Sequence, residues 1–403
     1  MSHNVRDQER ALNSALRREK RGALTEPTIF IPRNETSQTA ALRRLDQLKS
    51  GATRVHDIYE EVLLELLLAD KPQLKSAPDR VMEEFRNFRN SYANGAPEEL
   101  AGSWVLYDNG ALVHLLHSDD HYRLRTSRNI GLFTREEQAL FCKSRVAVCG
   151  LSVGGACVTT LSAEGVRSFF ITDFDQLALS NLNRVSSSLM NIGVDKTDIV
   201  AQKVWDVDPF ARVDAEPRGF NKDSMARMFD PKNMPDVVVD AVDSMQAKIE
   251  MRQACREHGV PLVWLIDMGD GVVQIGTERY DLDRNYPPFH GQLDKMRERM
   301  GRELSFAESL LAIFNNDRLP SRMADSFVKA CSNQGAGISQ LAGTVSICAG
   351  AIARTVRKVL LKERVVPEFF IDVDEKADPD YARNRANDQE ETYRILRGMG
   401  MRS

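Results

Sequence analysis

Five side chains between residues 173 and 243 stand at the ends of apolar runs and carry charge or an amide. Asp173 closes "SFFITD". Asn181 and Arg184 follow in "LALSNLNRV". Lys196 opens "KTDIVAQKVWDVDP", and Asp243 follows "VVVDAV". Two cations set among carboxylates suit a polyphosphate. The cations neutralise phosphate oxygens, and a carboxylate holds magnesium. A hydride-transfer site needs neither the second cation nor the extra carboxylate. Taken singly, each residue reads as a surface charge or a turn residue. The ordered set is what points to a site.

The elements around these residues place them on one edge. "RVAVCGLSVGGACVTTLSAEGV" is a strand, a glycine turn and a helix of small residues. Such a turn offers backbone N–H groups to phosphate at the positive end of a helix. Gly150 makes the tight turn, and Gly154 and Gly155 let the helix approach. Ser152 stands where a dinucleotide turn usually has its second glycine. Asp173 ends the next strand, about 20 residues on, the position of a ribose-binding acid. Asp175 is expected to face away. Strands at "VDAEPRGF", "DVVVDAVD" and "PLVWLIDMG" then alternate with helices. The expectation is an α/β fold with a Rossmann-like, doubly wound, largely parallel sheet. Open sheets of this kind bind ligands at the carboxyl ends of their strands.

Residues 1–26 read as a polar arm. Residues 27–120 read as a small α/β domain, with a short strand at 27–34 and a helix ending on Gly51. An amphipathic helix over "RVHDIYEEVLLELLLADKP" is stopped by Pro72, and a hairpin turns at Asp108-Asn109-Gly110. Residues 121–372 hold the alternating core, including a long small-faced helix near its end. Residues 373–403 read as a charged tail, either solvated helix or disorder.

The chain of 403 residues is 42% hydrophobic and 28% charged, with a net charge of −4. That is an ordinary globular composition with no general attraction to nucleic acid or anionic lipid. No signal-peptide core and no long apolar run is present, so the expected location is cytoplasmic. The six cysteines form no CxxC pair, which argues against a structural zinc site. Cys149, Cys157 and Cys348 read as buried thiols and Cys255 as structural. His290, in the loop "PPFHG", is a candidate base or simply a hydrogen-bonding residue.

The motifs resemble the ThiF/MoeB-type ubiquitin-activating superfamily over about residues 122–362. The matching segments are "RTSRNI", "GLSVGG", "DFDQLALSNLNRV", "IGVDK", the following Asp208-Pro209, "DAVDSMQAK" and "CSNQG". Within it, "GLSVG", "SNLNRV" and "FHG" look like a branch associated with nitroreductase-like domains. The resemblance implies an enzyme that adenylates a carboxylate with Mg-ATP. It implies that Gly150, Ser152, Gly154 and Gly155 form the nucleotide turn and that Asp173 holds the ribose. Asn181, Arg184 and Lys196 would meet the phosphates, and Asp243 the magnesium. Arg128 would be a finger reaching the site of the second subunit of a homodimer. Cys331 would be a thioester or sulfur-handling cysteine. Its polar, glycine-rich surroundings and nearby Lys329 favour an exposed sulfur of lowered pKa; the plainer reading is an unreactive thiol. The implied substrate is the C-terminus of a ubiquitin-like or sulfur-carrier protein, a peptide or a small acid, with no nucleic-acid or membrane partner.

This chain departs from the family at Ser152, Val153 and Ser244, and in lacking zinc-binding cysteine pairs. Those departures keep a second reading open, a non-catalytic member that binds nucleotide or a partner. A third, an NAD(P)-dependent oxidoreductase, is allowed by Gly150, Gly155 and Asp173 but leaves Asn181, Arg184 and Lys196 without a role.

Overall fold

The computed structural model describes residues 24–304, 306–314, 317–331 and 337–398. The first unit comprises β1 (Thr28–Phe30), α1 (Gln38–Gly51), β2 (Arg54–Asp57), α2 (Tyr59–Asp70), α3 (Pro78–Ala93), β3 (Ser103–Leu106) and β4 (Ala111–Leu115). Its four strands lie in the order β1-β3-β4-β2. The β3–β4 hairpin turns at the expected Asp-Asn-Gly, where Gly110 takes φ +80° against Thr53. Residues 54–57 differ from expectation. They form an edge strand parallel to β4 instead of the start of a helix. Asp57 settles this: it receives His114 Nδ1 at 2.9 Å and caps Tyr59 N at 3.2 Å, so the helix begins only at Tyr59.

Two helices, α4 (Ser118–Arg125) and α5 (Arg135–Lys143), lead into the larger unit. There β5 (Arg145–Cys149), α6 (Gly154–Glu164), β6 (Ser168–Thr172), α7 (Lys196–Val207) and β7 (Arg212–Glu216) come first. Then follow α8 (Lys222–Met228), β8 (Val237–Asp240), α9 (Met245–His258), β9 (Leu262–Asp267) and β10 (Val272–Glu278). The seven-stranded sheet has the order β11-β10-β9-β8-β5-β6-β7, with β11 at Glu368–Asp372. Strands β5 to β9 run parallel; β10 is antiparallel to both neighbours. The sheet is thus largely parallel, and the chain reverses to add the last two strands at one edge.

Helices cover both faces. α6, α7 and α13 (Ala342–Leu360) close one face over Val146, Val148, Ile171 and Val239. Gly155 makes this approach possible: a Cβ there would lie 3.1 Å from Val200 on α7. The other face is covered by α9, α10 (Gln292–Met300), α11 (Phe306–Ile313), α12 (Ser321–Cys331) and the last helix. A short α14 (Asp374–Ala377) precedes that helix, α15 (Tyr381–Gly398). The charged tail is therefore helical over its described part, to residue 398, with one buried face: Thr392 is fully buried and donates to Leu319 O at 3.0 Å.

The connecting helix α4 is tied to the larger unit at Asp208. This buried carboxylate receives Arg125 at 3.2 Å and Arg167 at 2.8 Å. Tyr107 of the first unit donates to Trp205 O at 3.1 Å. The Asp208-Pro209 pair that matched the family motif thus serves packing. Among the described residues, no helix is long and apolar enough to cross a membrane.

Candidate functional site

The site is built at the carboxyl ends of β5, β6, β8 and β9. Gly150 leaves β5 with φ +87°, and a Cβ there would lie 2.3 Å from Ala241 O. Only glycine fits where these two strand ends cross. Gly154 is less tight, with a Cβ site 2.9 Å from the Val148 side chain. The glycines' first duty is this packing, and its result is a helix N-terminus set at the strand-end edge. Val153 gives α6 no side-chain cap, so the first turn keeps free N–H groups for an anion.

Asp173 holds the turn in place. One oxygen accepts Leu151 N at 2.6 Å and the other Asp175 N at 2.7 Å. Burial pushes its carboxyl up, while Lys196 and those two amides pull it down. Asp175 does not face away, as the sequence suggested. It accepts Lys196 Nζ at 2.9 Å. Lys196 is buried at the first position of α7, so this pair fixes the lysine at the edge.

Arg184 joins the turn through the residue that departs from the family. Its Nε donates to Ser152 Oγ at 3.3 Å, and its Nη1 to Asn183 Oδ1 at 2.9 Å. Asn181 uses its Oδ1 to accept Ala178 N at 3.1 Å, closing the short turn Leu179–Asn181 that positions Arg184. Burial pushes the Arg184 guanidinium down; Asp243, Asp267 and Asp175 push it back up.

Asp243 lies in an open recess past the end of β8, with no hydrogen bond or ion pair to a described side chain. The protein crowded around it pushes its carboxyl up, against the pull of Lys248, Lys196 and Arg184. Asp267, at the end of β9, was not foreseen. Its Oδ1 accepts Gly269 N at 2.9 Å, while its buried Oδ2 has no hydrogen-bond partner among the described residues. Burial pushes this carboxyl to about 6. An acid at the end of a parallel strand was the signal available in the sequence.

Beside the α6 N-terminus opens a cleft of about 220 Å³, walled by Ser152, Gly155, Arg184, Lys196, Lys203 and Ser346 among others. Lys203, seven residues after Lys196 on the same face of α7, was also missed. A larger recess of about 430 Å³ adjoins it between the β3–β4 hairpin and α7.

The remaining candidates lie elsewhere. Arg128 is exposed on a turn whose neighbour Asn129 donates to Glu164 O, at the far end of α6. An 11-residue helix is about 16 Å long, so Arg128 stays away from its own chain's site. Cys331 is exposed at the end of α12, and the rest of "CSNQG" lies outside the described residues. Lys329 pairs with Asp325 at 2.6 Å, and partial burial pushes the Cys331 thiol up, not down. His290 packs near Trp264 on the opposite face of the sheet and bonds Tyr286 at 3.0 Å. Among the described residues, no group of three His, Cys, Asp or Glu side chains is placed to hold a metal.

The ThiF family model matches residues 126–391, more than half of the chain. An uncharacterized Mycobacterium tuberculosis protein, MT1398, is 32% identical over 76% of this chain and 43% of its own. The Escherichia coli tRNA threonylcarbamoyladenosine dehydratase is 26% identical over 36% of this chain and 54% of its own. The ubiquitin-like modifier-activating enzyme 5 of Oryza sativa is 25% identical over 50% and 49%. The chain therefore spans about half the length of these relatives. The solved structure of E. coli MccB with ATP is 15% identical, with a TM-score of 0.44 over 62% of this chain and 68% of that one. With the family motif residues gathered at one sheet edge and the family model spanning the core, the chain belongs to the ThiF family.

Proposed function

We propose that the protein is an ATP- and magnesium-dependent adenylyltransferase that activates a carboxylate as an acyl-adenylate. One observation carries this reading: Arg184, Lys196, Asp173 and Asp243 meet at one strand-end edge beside an uncapped helix N-terminus. The relatives named as modifier-activating enzymes support its carboxylate side.

The chemistry needs positioning and charge stabilisation more than acid–base work. A carboxylate oxygen attacks the α-phosphorus of ATP. The bond to the bridging oxygen breaks, and pyrophosphate leaves with the electron pair. The acyl carbon then carries AMP, a good leaving group, and a thiol or amine displaces it. Arg184 and Lys196 neutralise phosphate oxygens, while the α6 N–H groups and Ser152 orient them. Asp173, already holding the turn, keeps lone pairs for the ribose hydroxyls. Asp243 would hold magnesium, since among the described residues its carboxylate has no hydrogen-bond or ion-pair partner. The metal, when bound, neutralises charge on the phosphates.

Arg128 completes the site only from a second copy, and exposed Ile130 and Leu132 beside it offer that copy an apolar contact. Cys331 is the candidate acceptor thiol; its raised pKa means that it requires activation by a partner or substrate.

ATP–pyrophosphate exchange, with peptides and small proteins supplied as carboxylates, tests the reading. Label should enter ATP with the wild type and not with Asp243→Ala. ATP binding without exchange under any supplement would favour the non-catalytic alternative.

A further inference from the structure

The cleft beside the α6 N-terminus has a one-sided charge pattern. Arg184, Lys196 and Lys203 line it, and no carboxylate does. Asp173, Asp243 and Asp267 all stand outside its wall. Opposite α7, the wall is the first turn of α13, at Ala342, Val345 and Ser346. That helix, like α6, begins without a side-chain cap. Two helix N-termini and three cations therefore face one small space, and each favours an anion in it.

The three cations are not equally occupied. Lys196 is paired with Asp175. Among the described residues, neither Arg184 nor Lys203 has an ion pair. Lys203 is partly buried, and its ammonium donates to Ser186 O. Burial pushes that ammonium down, with no charged neighbour pulling it back up. An ammonium withdrawn from water without a counter-ion favours an anion brought to it.

Size and position say which anion. At about 220 Å³ the cleft is smaller than the roughly 300 Å³ at which sites for whole small molecules begin. It suits a compact polyanion better than a complete nucleotide. Lys203 comes seven residues, two helical turns, after Lys196, so the two side chains share one face about 10 Å apart at their Cα atoms. Side chains on a helix lean toward its N-terminus, which brings the Lys203 ammonium back toward Lys196. The cations thus continue in a line from the glycine turn into the cleft, away from the ribose acid Asp173. In adenylation the carboxylate oxygen bonds to the α-phosphorus, the bond from that phosphorus to the bridging oxygen breaks, and the electron pair leaves on pyrophosphate. The entering and leaving oxygens lie in line, so a cleft that holds the leaving group is not the one that admits the carboxylate.

We propose that the cleft between α6, α7 and α13 holds the β- and γ-phosphates of ATP and then the released pyrophosphate, and that Lys203 is the residue at its inner end that grips them. This inference rests on the adenylation reading. It adds a phosphate contact on α7 and sets the direction in which the leaving group departs.

Titration calorimetry on the full-length protein tests it with inorganic pyrophosphate and AMP as separate probes, each with magnesium. The wild type should bind pyrophosphate. Lys203→Met should weaken that binding about tenfold, the scale of one charge-assisted contact, and leave AMP affinity unchanged. Lys203→Arg should retain most of the pyrophosphate affinity, which separates the lost charge from a fold defect. No binding of pyrophosphate by the wild type, undiminished binding by Lys203→Met, or an equal loss for AMP would each overturn the proposal. ATP–pyrophosphate exchange reads the other claim. Lys203-dependent pyrophosphate binding without exchange under any carboxylate would remove adenylation and leave the polyphosphate cleft standing. Exchange in which wild type and Lys203→Met share one KM for pyrophosphate would remove this inference and leave adenylation.

Discussion

Asp240 and Asp243 stand three residues apart in one motif, yet they sit in opposite electrostatic situations. Asp240 is fully buried and receives Lys248 at 3.0 Å and Arg252 at 2.7 Å. Arg252, also fully buried, continues to Glu278 at 2.9 Å and lies over the Phe289 ring. These partners hold the Asp240 carboxyl below its usual range despite burial. Asp243 has no such partner, and its carboxyl rises. Charge density alone does not mark a functional site. The network under α9 gathers four charges, Asp240, Lys248, Arg252 and Glu278, but its carboxylates are already answered by cations. The edge holds carboxylates and cations that keep bonding capacity for something outside the chain.

The sharpest break of this comparison is Asp240→Ala. Removing Asp240 leaves buried Lys248 without its carboxylate and Arg252 with Glu278 alone, a loss of about 3–5 kcal/mol. It should appear as a large drop in the urea midpoint. Arg184→Met sits on the other side of the contrast. Exchange should fall about a hundredfold, the scale of losing one charge-stabilising donor, with the urea midpoint nearly unmoved. An Arg184 variant that lost stability as Asp240→Ala does would erase the distinction between the two regions.

Much of this contrast was visible in the sequence, and part was not. Strand–helix alternation pointed to a doubly wound, largely parallel sheet, and acids at strand ends drew attention to Asp173 and Asp243. What the sequence could not show was pairing. Asp175 looked like an outward residue, but the chain leaves the strand before it and its carboxylate accepts Lys196. Residues 54–57 read as helix because their neighbours do; the parallel partner β4 lies far along the chain. β10 returns on β9 through Gly269-Asp270-Gly271, a turn signal that the reading passed over, whereas β11 comes from a segment far along the chain. Asp267 and Lys203 matter only through what surrounds them.

Two smaller effects sharpen the comparison further. Tyr107→Phe removes one hydrogen bond between the units, worth about 1 kcal/mol. Thermal unfolding should shift slightly to lower temperature with ATP affinity unchanged, and an unmoved transition would show that this bond does not hold the units together. The smallest effect concerns Asp267. Its folded carboxyl is raised to about 6, so the folded state binds a proton that the unfolded chain releases near pH 4. Its contribution is therefore fully present below that range and is lost as pH rises to about 6. Asp267→Asn should flatten this segment of the stability–pH curve; an unchanged curve would show that the carboxyl is not withdrawn from water.

The central claim is that the unanswered edge, and not the answered network, holds Mg-ATP. Titration calorimetry of ATP, with and without magnesium, tests it directly on the wild type and on Asp243→Asn. The account predicts that magnesium strengthens ATP binding to the wild type and that Asp243→Asn loses this dependence while remaining folded. Magnesium-strengthened binding that survives in Asp243→Asn, or no ATP binding by the wild type at all, would contradict it.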